Sequence, residues 1–437
     1  MEIVLWVAGV LFLALGIAVS IGLHEFGHFF PARKFGVFVG SFMIGFGPTI
    51  WSRKRGETEF GIKAIPLGGY VSLSGMYPTT ANSARPGFRL FRKLVQDARD
   101  ASADTITDES RAFYRLPVLK RIVVMLGGPF MNLVIATVLF LVLFSGIGIV
   151  GTTTTIGSLS DCVLPVTSSR TTCAPTDPKA PAAIAGLKAG DRIVSIDGEP
   201  VSTWESGTAV IRESAGRELA LVVNRGGTRL SLAVTPLATE RYKLDAAGNP
   251  VLGADGKPVL TTVGFIGVGP QLARQPQSPA VALAAMGGNI TQVGALILDL
   301  PNRMVQVWNA AFGTEARDPN GPVSVVGVGR IAGDVASATG LQLTDRIAAL
   351  LGILASLNVA LFVFNLIPLL PLDGGHILIA IWEAVRNAIA RLRGKPAPGP
   401  VDSARLVPFT IVITVILMAM SALLIYADIV KPIALGL

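Results

Sequence analysis

Charge, histidine and cysteine are all scarce in this 437-residue chain. Asp, Glu, Lys and Arg make up only 15% of it while hydrophobic residues make up 51%, a balance that excludes an ordinary soluble chain and puts the protein in a membrane. Four stretches carry no charged side chain for about 20 residues or more, the length a helix needs to cross: Ile3 to Leu23, Ile122 to Val150, Ile347 to Leu372 and Leu406 to Ala427. The first lacks a basic leader, having Glu2 as its only early charge, and its apolar run is too long for a cleaved signal peptide. The net charge of +8 sits mostly in loops suited to anionic lipid, so it implies a bilayer and no nucleic acid.

Basic residues set the expected orientation, because short cytoplasmic loops hold an excess of Lys and Arg. The loop after the first span has Arg33, Lys34, Arg53, Lys54, Arg55, Arg111, Arg115, Lys120 and Arg121, and the loop after the third has Arg386, Arg391, Arg393, Lys395 and Arg405. Both then face the cytoplasm, and both termini and the segment of about 151 to 345 lie outside. The only two cysteines, Cys162 and Cys173, fall in that outer segment, where an oxidising compartment favours a bridge over two free thiols.

All three histidines fall in two motifs, HEFGH at 24–28 and NLIPLLPLDGGH at 365–376. Residues four apart stand one above the other on a helix, so His24 and His28 can reach one zinc ion, and a carboxylate beside it, Glu25, can take a proton from the attacking water. That is the chemistry of peptide hydrolysis. The bland alternative is a chance match, or two helix-face histidines satisfied by hydrogen bonds. Topology favours the metal: spans one and three run the same way, which brings Asp373 to the depth of the histidines as a third ligand while leaving a position open. His376 is not expected to ligate, since a catalytic zinc needs that exchangeable position.

With HEFGH, GGPFMN at 127–132, a PDZ-like stretch PAAIAGLKAGDRIVSIDGEPVSTW at 181–204 and NLIPLLPLDGGH in that order, the chain resembles the site-2 proteases, intramembrane zinc metalloproteases, over nearly its whole length. The resemblance implies Zn2+ on His24, His28 and Asp373, with Glu25 as the catalytic carboxylate. It also implies that Asn365 holds the substrate backbone; a helix-packing contact is the alternative. Pro368 and Pro371 are spaced three apart where the family often has them two apart, and they break the third span where substrate would lie. For Gly127, Gly128, Pro129 and Asn132, close helix packing is the main expectation, with Asn132 a candidate to touch substrate.

The expected fold is a polytopic α-helical membrane protein with four transmembrane helices, a membrane-associated β-sheet and one extracytoplasmic PDZ-like α+β domain. The expected order is a first span at 1–32, sheet and loop at 33–117, a second span at 118–150 and the PDZ-like domain at 151–275, with an insertion at 244–258. A connecting helix and loop along the outer surface follow at 276–343, then a third span at 344–376, a cytoplasmic loop at 377–404 and a fourth span at 405–428. Short strands around 44–73 are expected to hold an extended substrate by strand addition, and residues 77–116 fit a surface helix or a loop equally well. The expected partners are single-span membrane proteins, such as anti-sigma factors or remnant signal peptides, and the bilayer, with the PDZ groove touching substrate or a partner peptide. A catalytically silent PDZ scaffold or chaperone is the rival from another class, and a metal-handling membrane protein a weaker one.

Overall fold

The computed structural model describes residues 2–433 except 79–88, 105, 107, 167, 169, 244, 246–249, 254–255 and 397. It divides into two compact units, one of residues 1–147 with 277–437 and one of residues 148–276.

In the first unit, α1 (Glu2–Lys34) leads into β1 (Val39–Arg55) and β2 (Thr58–Leu73), then α2 (Arg89–Asp104) and α3 (Val118–Leu141), which ends in a π-helical turn to Ile147. The stretch 77–116, open between a surface helix and a loop, contains a helix and two short 3-10 turns among its described residues. After the second unit come α6 (Pro279–Leu298), α7 (Leu300–Phe312), α8 (Val325–Ser337), α9 (Leu343–Asn365), α10 (Asp373–Leu392) and α11 (Val407–Val430).

Small and polar residues set how the long helices pass one another. A Cβ on Gly27 would lie 2.1 Å from the Gly127 carbonyl oxygen, so α1 and α3 cross with their backbones touching, as close approach through small residues allows. Near the other end of α1, Leu13 shares a cluster with Leu139, so the two helices are antiparallel. Against α9 the order runs the other way: a Cβ on Gly16 would meet Leu354, and Asn358 donates to Ser20 Oγ at 3.0 Å. Those two helices are parallel.

Among the described residues five helices are long and apolar enough to cross a membrane, one more than the four spans expected: Glu2–Lys34, Val118–Ile147, Pro279–Leu298, Leu343–Asn365 and Ser403–Val430. The addition, α6, carries no charge, but Asn289, Thr291 and Gln292 dilute its hydropathy. It packs Ala285, Met286, Ile290 and Val293 against Ala136 and Phe140 of α3 and Ala355 and Val359 of α9, which corrects the expectation of a helix lying along the surface. Two further expectations change near the LDGG motif. The third span stops at Asn365, and the stretch expected as a loop from 377 begins inside a helix, because α10 starts at Asp373 and runs to Leu392. Gly374 and Gly375 permit this: a Cβ on either would lie within 2.5 Å of the backbone of 366–370. The chain can therefore double back on itself between the two helices.

Arg121 on α3 and Glu383 on α10 form a two-pronged ion pair with 9% and 8% side-chain exposure, and Glu383 also accepts from the Val401 amide at 3.1 Å. Removing one partner strands a buried charge, which costs about 3–5 kcal/mol, whereas an apolar pair of like volume is often tolerated. Arg121→Met is expected to lower the temperature at which the detergent-solubilised protein loses its fold, and Arg121→Met with Glu383→Met to recover most of the loss. Equal melting of the single variant and the parent would refute this role.

In the second unit, β3 (Ile149–Leu159), a short helix α4 (Pro181–Ile184), β4 (Arg192–Ile196), β5 (Glu199–Pro200), α5 (Trp204–Glu213), β6 (Leu219–Arg225), β7 (Thr228–Val234), β8 (Leu237–Tyr242), β9 (Leu260–Phe265) and β10 (Val268–Gln275) follow in order. The main sheet has the order β10-β3-β4-β6-β7 with β5 on β4, and β8 pairs β9 as a separate hairpin. Ile156, Ile193, Ile196, Leu219, Leu221 and Val223 make its core, with Leu219, Leu221 and Val223 in the period-2 pattern of a half-buried strand and a register shift between Ile193 and Ser195 turning both Ile193 and Ile196 inward. The turn residue Asp191 is fully buried, and its carboxylate accepts from Arg225 at 2.7 Å and from the Lys188 amide at 2.8 Å. The Arg225 guanidinium holds that carboxyl below the usual carboxylate range. Cys162 and Cys173 are bridged, and the expected insertion falls between β8 and β9, where residues 244, 246–249 and 254–255 lie outside the described ones.

Candidate active site

Helix α1 carries His24 and His28 one turn apart, and α10 presents Asp373 in its first turn, where the helix dipole favours a carboxylate. His24 Nε2 and His28 Nε2 are 3.2 Å apart, and Asp373 Oδ2 lies 3.5 Å from the first and 3.4 Å from the second. Tetrahedral zinc, with bonds of about 2.0–2.1 Å, holds its ligand atoms about 3.3 Å apart. The three atoms therefore outline one face of a zinc-sized tetrahedron. Asp373 Oδ2 is buried and accepts no hydrogen bond, a costly state for a carboxylate oxygen unless a cation takes it. The donor set fits a metal ion on chemistry and on spacing.

The outer partners of the histidines agree. His28 Nδ1 lies 2.8 Å from the Val124 carbonyl oxygen, so Nδ1 carries the proton and Nε2 keeps its lone pair for the centre. For His24 the neighbour is Asn132, whose amide nitrogen is 3.0 Å from Nδ1. If His24 Nε2 is to hold metal, Nδ1 must donate; the carboxamide then turns its oxygen to Nδ1, which satisfies the buried Oδ1 that otherwise has no partner. Asn132 is fully buried. The structure thus places this candidate substrate contact against His24. Asn132→Ala is expected to weaken zinc affinity by about 10–100-fold with the helices intact, measured by competition with a chelator; unchanged affinity would exclude the role.

Gly128 explains the glycines of GGPFMN. A Cβ there would sit 2.3 Å from His28 Nε2 and 2.7 Å from His24 Nε2, so only glycine lets α3 lie under the imidazoles. Gly127 keeps the backbones in contact and Asn132 reaches back to His24. One segment brings α3 close and meets a candidate ligand.

The remaining candidates are less concentrated. Glu25 makes no hydrogen bond or ion pair among the described residues, and a Cβ on Gly69 of β2 would lie 2.9 Å from its Cγ, so the sheet runs beside it. Residues 39–44 pair with 69–73 on one side and 59–62 on the other, which leaves 69–73 with an outer edge that no described strand pairs. Asn365 ends α9 and donates to the Leu361 carbonyl at 3.0 Å. Pro368 and Pro371 are exposed in the break at 366–372, and His376 lies outside the cluster of potential ligands.

An apolar helical bundle with two histidines and an aspartate converging at zinc spacing is the architecture of a membrane-embedded metalloprotease. Residues 12–402 match the model of peptidase family M50. Zinc metalloprotease Rip1 of Mycobacterium tuberculosis is 36% identical over 440 residues, covering 99% of both chains, and the protein of that name from Mycolicibacterium smegmatis is 35% identical over 98% of both. The chain belongs to peptidase family M50, the site-2 proteases, and is a membrane-embedded zinc metalloprotease.

Proposed function

We propose that His24, His28 and Asp373 hold the zinc ion, that Glu25 is the general base, and that the protein cuts single-span membrane proteins within or near the bilayer after their outer part has been shortened. The observation that carries this reading is the triangle of two imidazole nitrogens and an unpartnered carboxylate oxygen at tetrahedral spacing. Zinc, when bound, supplies Lewis-acid polarisation of a carbonyl and brings the pKa of water down to about 7. Glu25 accepts the proton of the attacking water and hands it to the leaving amine. A helical substrate hides its amides, so it must be extended first; the unpaired edge of 69–73 beside Glu25 suits strand addition. Asn365 and the exposed break with Pro368 and Pro371 bound the other side of the substrate path.

The excess of Lys and Arg in 33–121 and 386–405 supports a cytoplasmic position for the histidine end of α1, with both termini and the second unit extracytoplasmic. Four crossings are proposed, with α6 packed beside α3 and α9. Its first turn starts at the end of α3, where the Gln277 amide donates to the Phe144 carbonyl at 2.8 Å, the same face from which α9 starts. The chain between them must then return, and α7 and α8, at 13 residues each, are about 20 Å long and too short to cross alone. The second unit is a PDZ-like domain that binds extended peptide, either substrate or a partner, and remnant signal peptides or anti-sigma factors are the proposed substrates.

Metal content tests the ligand set apart from activity. His24→Ala, His28→Ala and Asp373→Ala are each expected to lower zinc from about one per chain to little or none, while His376→Gln keeps it. A full complement of zinc in Asp373→Ala would overturn the assignment. A silent scaffold would hold zinc yet cut no truncated single-span protein.

A further inference from the structure

Between α1 and α3, within the first unit, runs an apolar groove of about 470 Å³. Its floor is the crossing where a Cβ on Gly27 would lie 2.1 Å from the Gly127 carbonyl oxygen. Phe26, Phe30 and Phe35 form one wall, and Val123, Leu126 and Phe130 the other. Lys34, the last residue of α1, is the one charged side chain in the described lining. The Lys120 ammonium lies 5.2 Å from the centroid of the Phe35 ring, and Lys120 precedes Val123 by about one turn of α3, so it stands at the same end of the groove. Neither Lys34 nor Lys120 meets a carboxylate among the described residues.

With 3.6 residues per turn, residue i+2 of a helix points about 200° around the axis from residue i. Phe26 and Phe30 stand in that relation to His24 and His28, so the groove opens on the side of α1 turned away from the candidate zinc ligands. A substrate lying in it would keep its amides apart from that centre. From Phe26 to Lys34 the helix rises about 12 Å, so the groove runs from the depth of the histidines to the end of α1, where the span meets the headgroup layer. This is the course of an acyl chain below its phosphate. Apolar walls with two unpaired ammonium groups at the mouth match a ligand that is hydrocarbon at one end and negative at the other, and lysines at the end of a span gather such headgroups. A zwitterionic headgroup would bring a cation of its own to that mouth, which the lysines oppose.

We propose that this groove is a binding site for an anionic phospholipid, with one acyl chain lying between α1 and α3 over Gly27 and Gly127 and the headgroup phosphate accepting from Lys34 and Lys120. The site is independent of which side of the membrane the histidine end of α1 faces, and of the substrate that is cut.

The test uses the full-length protein in detergent, freed of co-purified lipid, titrated with dioleoyl phosphatidylglycerol or dioleoyl phosphatidylcholine and read by native mass spectrometry. The first phosphatidylglycerol is expected to bind at least about tenfold more tightly than the first phosphatidylcholine, as two basic groups at one headgroup imply. Lys34→Gln with Lys120→Gln is expected to bring the two lipids within about twofold of each other, and Lys34→Arg with Lys120→Arg to keep the preference. Leu126→Trp, on a wall that is 38% exposed, fills the groove and is expected to weaken both lipids. A phosphatidylglycerol carrying a diazirine on one acyl chain is expected to label residues 26–35 and 123–131. Helix content by circular dichroism checks that each variant is folded. Equal affinity of the two lipids would overturn the charge pairing, and a preference intact in the double Gln variant, or label found only elsewhere, would overturn the site. A lipid-free dimer that Leu126→Trp dissociates would give the groove to a second copy of the chain, and displacement of the lipid by a truncated single-span protein would give it to substrate; either result overturns the proposal.

Discussion

Glu25→Gln is expected to lower cleavage of a truncated single-span substrate by about 10²–10⁴-fold, the usual contribution of a positioned general base, while zinc content stays at the level of the parent. The two outcomes must go together for the role to hold. Glutamine keeps the shape of the side chain but cannot accept a proton, and Glu25 is outside the triangle of His24, His28 and Asp373, so the metal site loses no ligand. Its place on α1 is fixed by helix geometry: one residue past His24 and three before His28, it faces β2, where Gly69 leaves room for its stem. Gly69→Ala should for the same reason press on Glu25 and slow cleavage without removing zinc. Cleavage by Glu25→Gln at the rate of the parent would end the assignment of the base, and loss of zinc from it would mean that the carboxylate ligates.

Gly128→Ala is expected to remove both zinc and activity although it adds a single methyl group. Its Cβ would stand 2.3 Å from His28 Nε2, nearer than any non-bonded contact allows. The imidazoles must turn or the helices must part by about 1 Å, a displacement that alone costs about 10²-fold in rate. Zinc counted in the purified variant, with helix content followed by circular dichroism, separates a lost site from a lost fold. A variant holding a full zinc complement would show that α3 yields more easily than the backbone contact implies.

How much of this was legible in the chain follows from the range of the interactions involved. The pairing of His24 with His28 is a matter of one helical turn, and the apolar runs of α1, α3, α9 and α11 are a matter of composition, so both could be read from sequence. Asp373 needed one further step, the parallel course of α1 and α9, which charge counts in the loops supply. The span count was less secure because α6 owes its place to packing against Ala136, Phe140, Ala355 and Val359, residues more than a hundred positions away on one side. The contact of Asn132 was out of reach for a related reason. A polar side chain in an apolar helix signals a partner, but nothing local says whether that partner is a substrate amide or His24 Nδ1.

The boundary at Asp373 shows the same division. LDGG reads as the end of a span when only hydropathy is followed, since uncharged residues run from 347 to 372. In the structure the helix ends at Asn365 and a new one begins at Asp373, because Pro368 and Pro371 interrupt the hydrogen-bond ladder and Gly374 and Gly375 let the freed backbone fold against α10. This turn places the carboxylate at a helix start, aimed at α1.

The sequence by itself determined which side chains are chemically able to bind zinc, which segments prefer lipid, and which face of α1 carries the reactive groups, since these depend on residue type and on spacing within a single turn. Only the tertiary structure decided that the three candidate ligand atoms stand 3.2–3.5 Å apart and that Asn132 meets His24 Nδ1. Each of those depends on where distant segments meet, and that is fixed by backbone contacts such as Gly27 on Gly127, which no local pattern specifies.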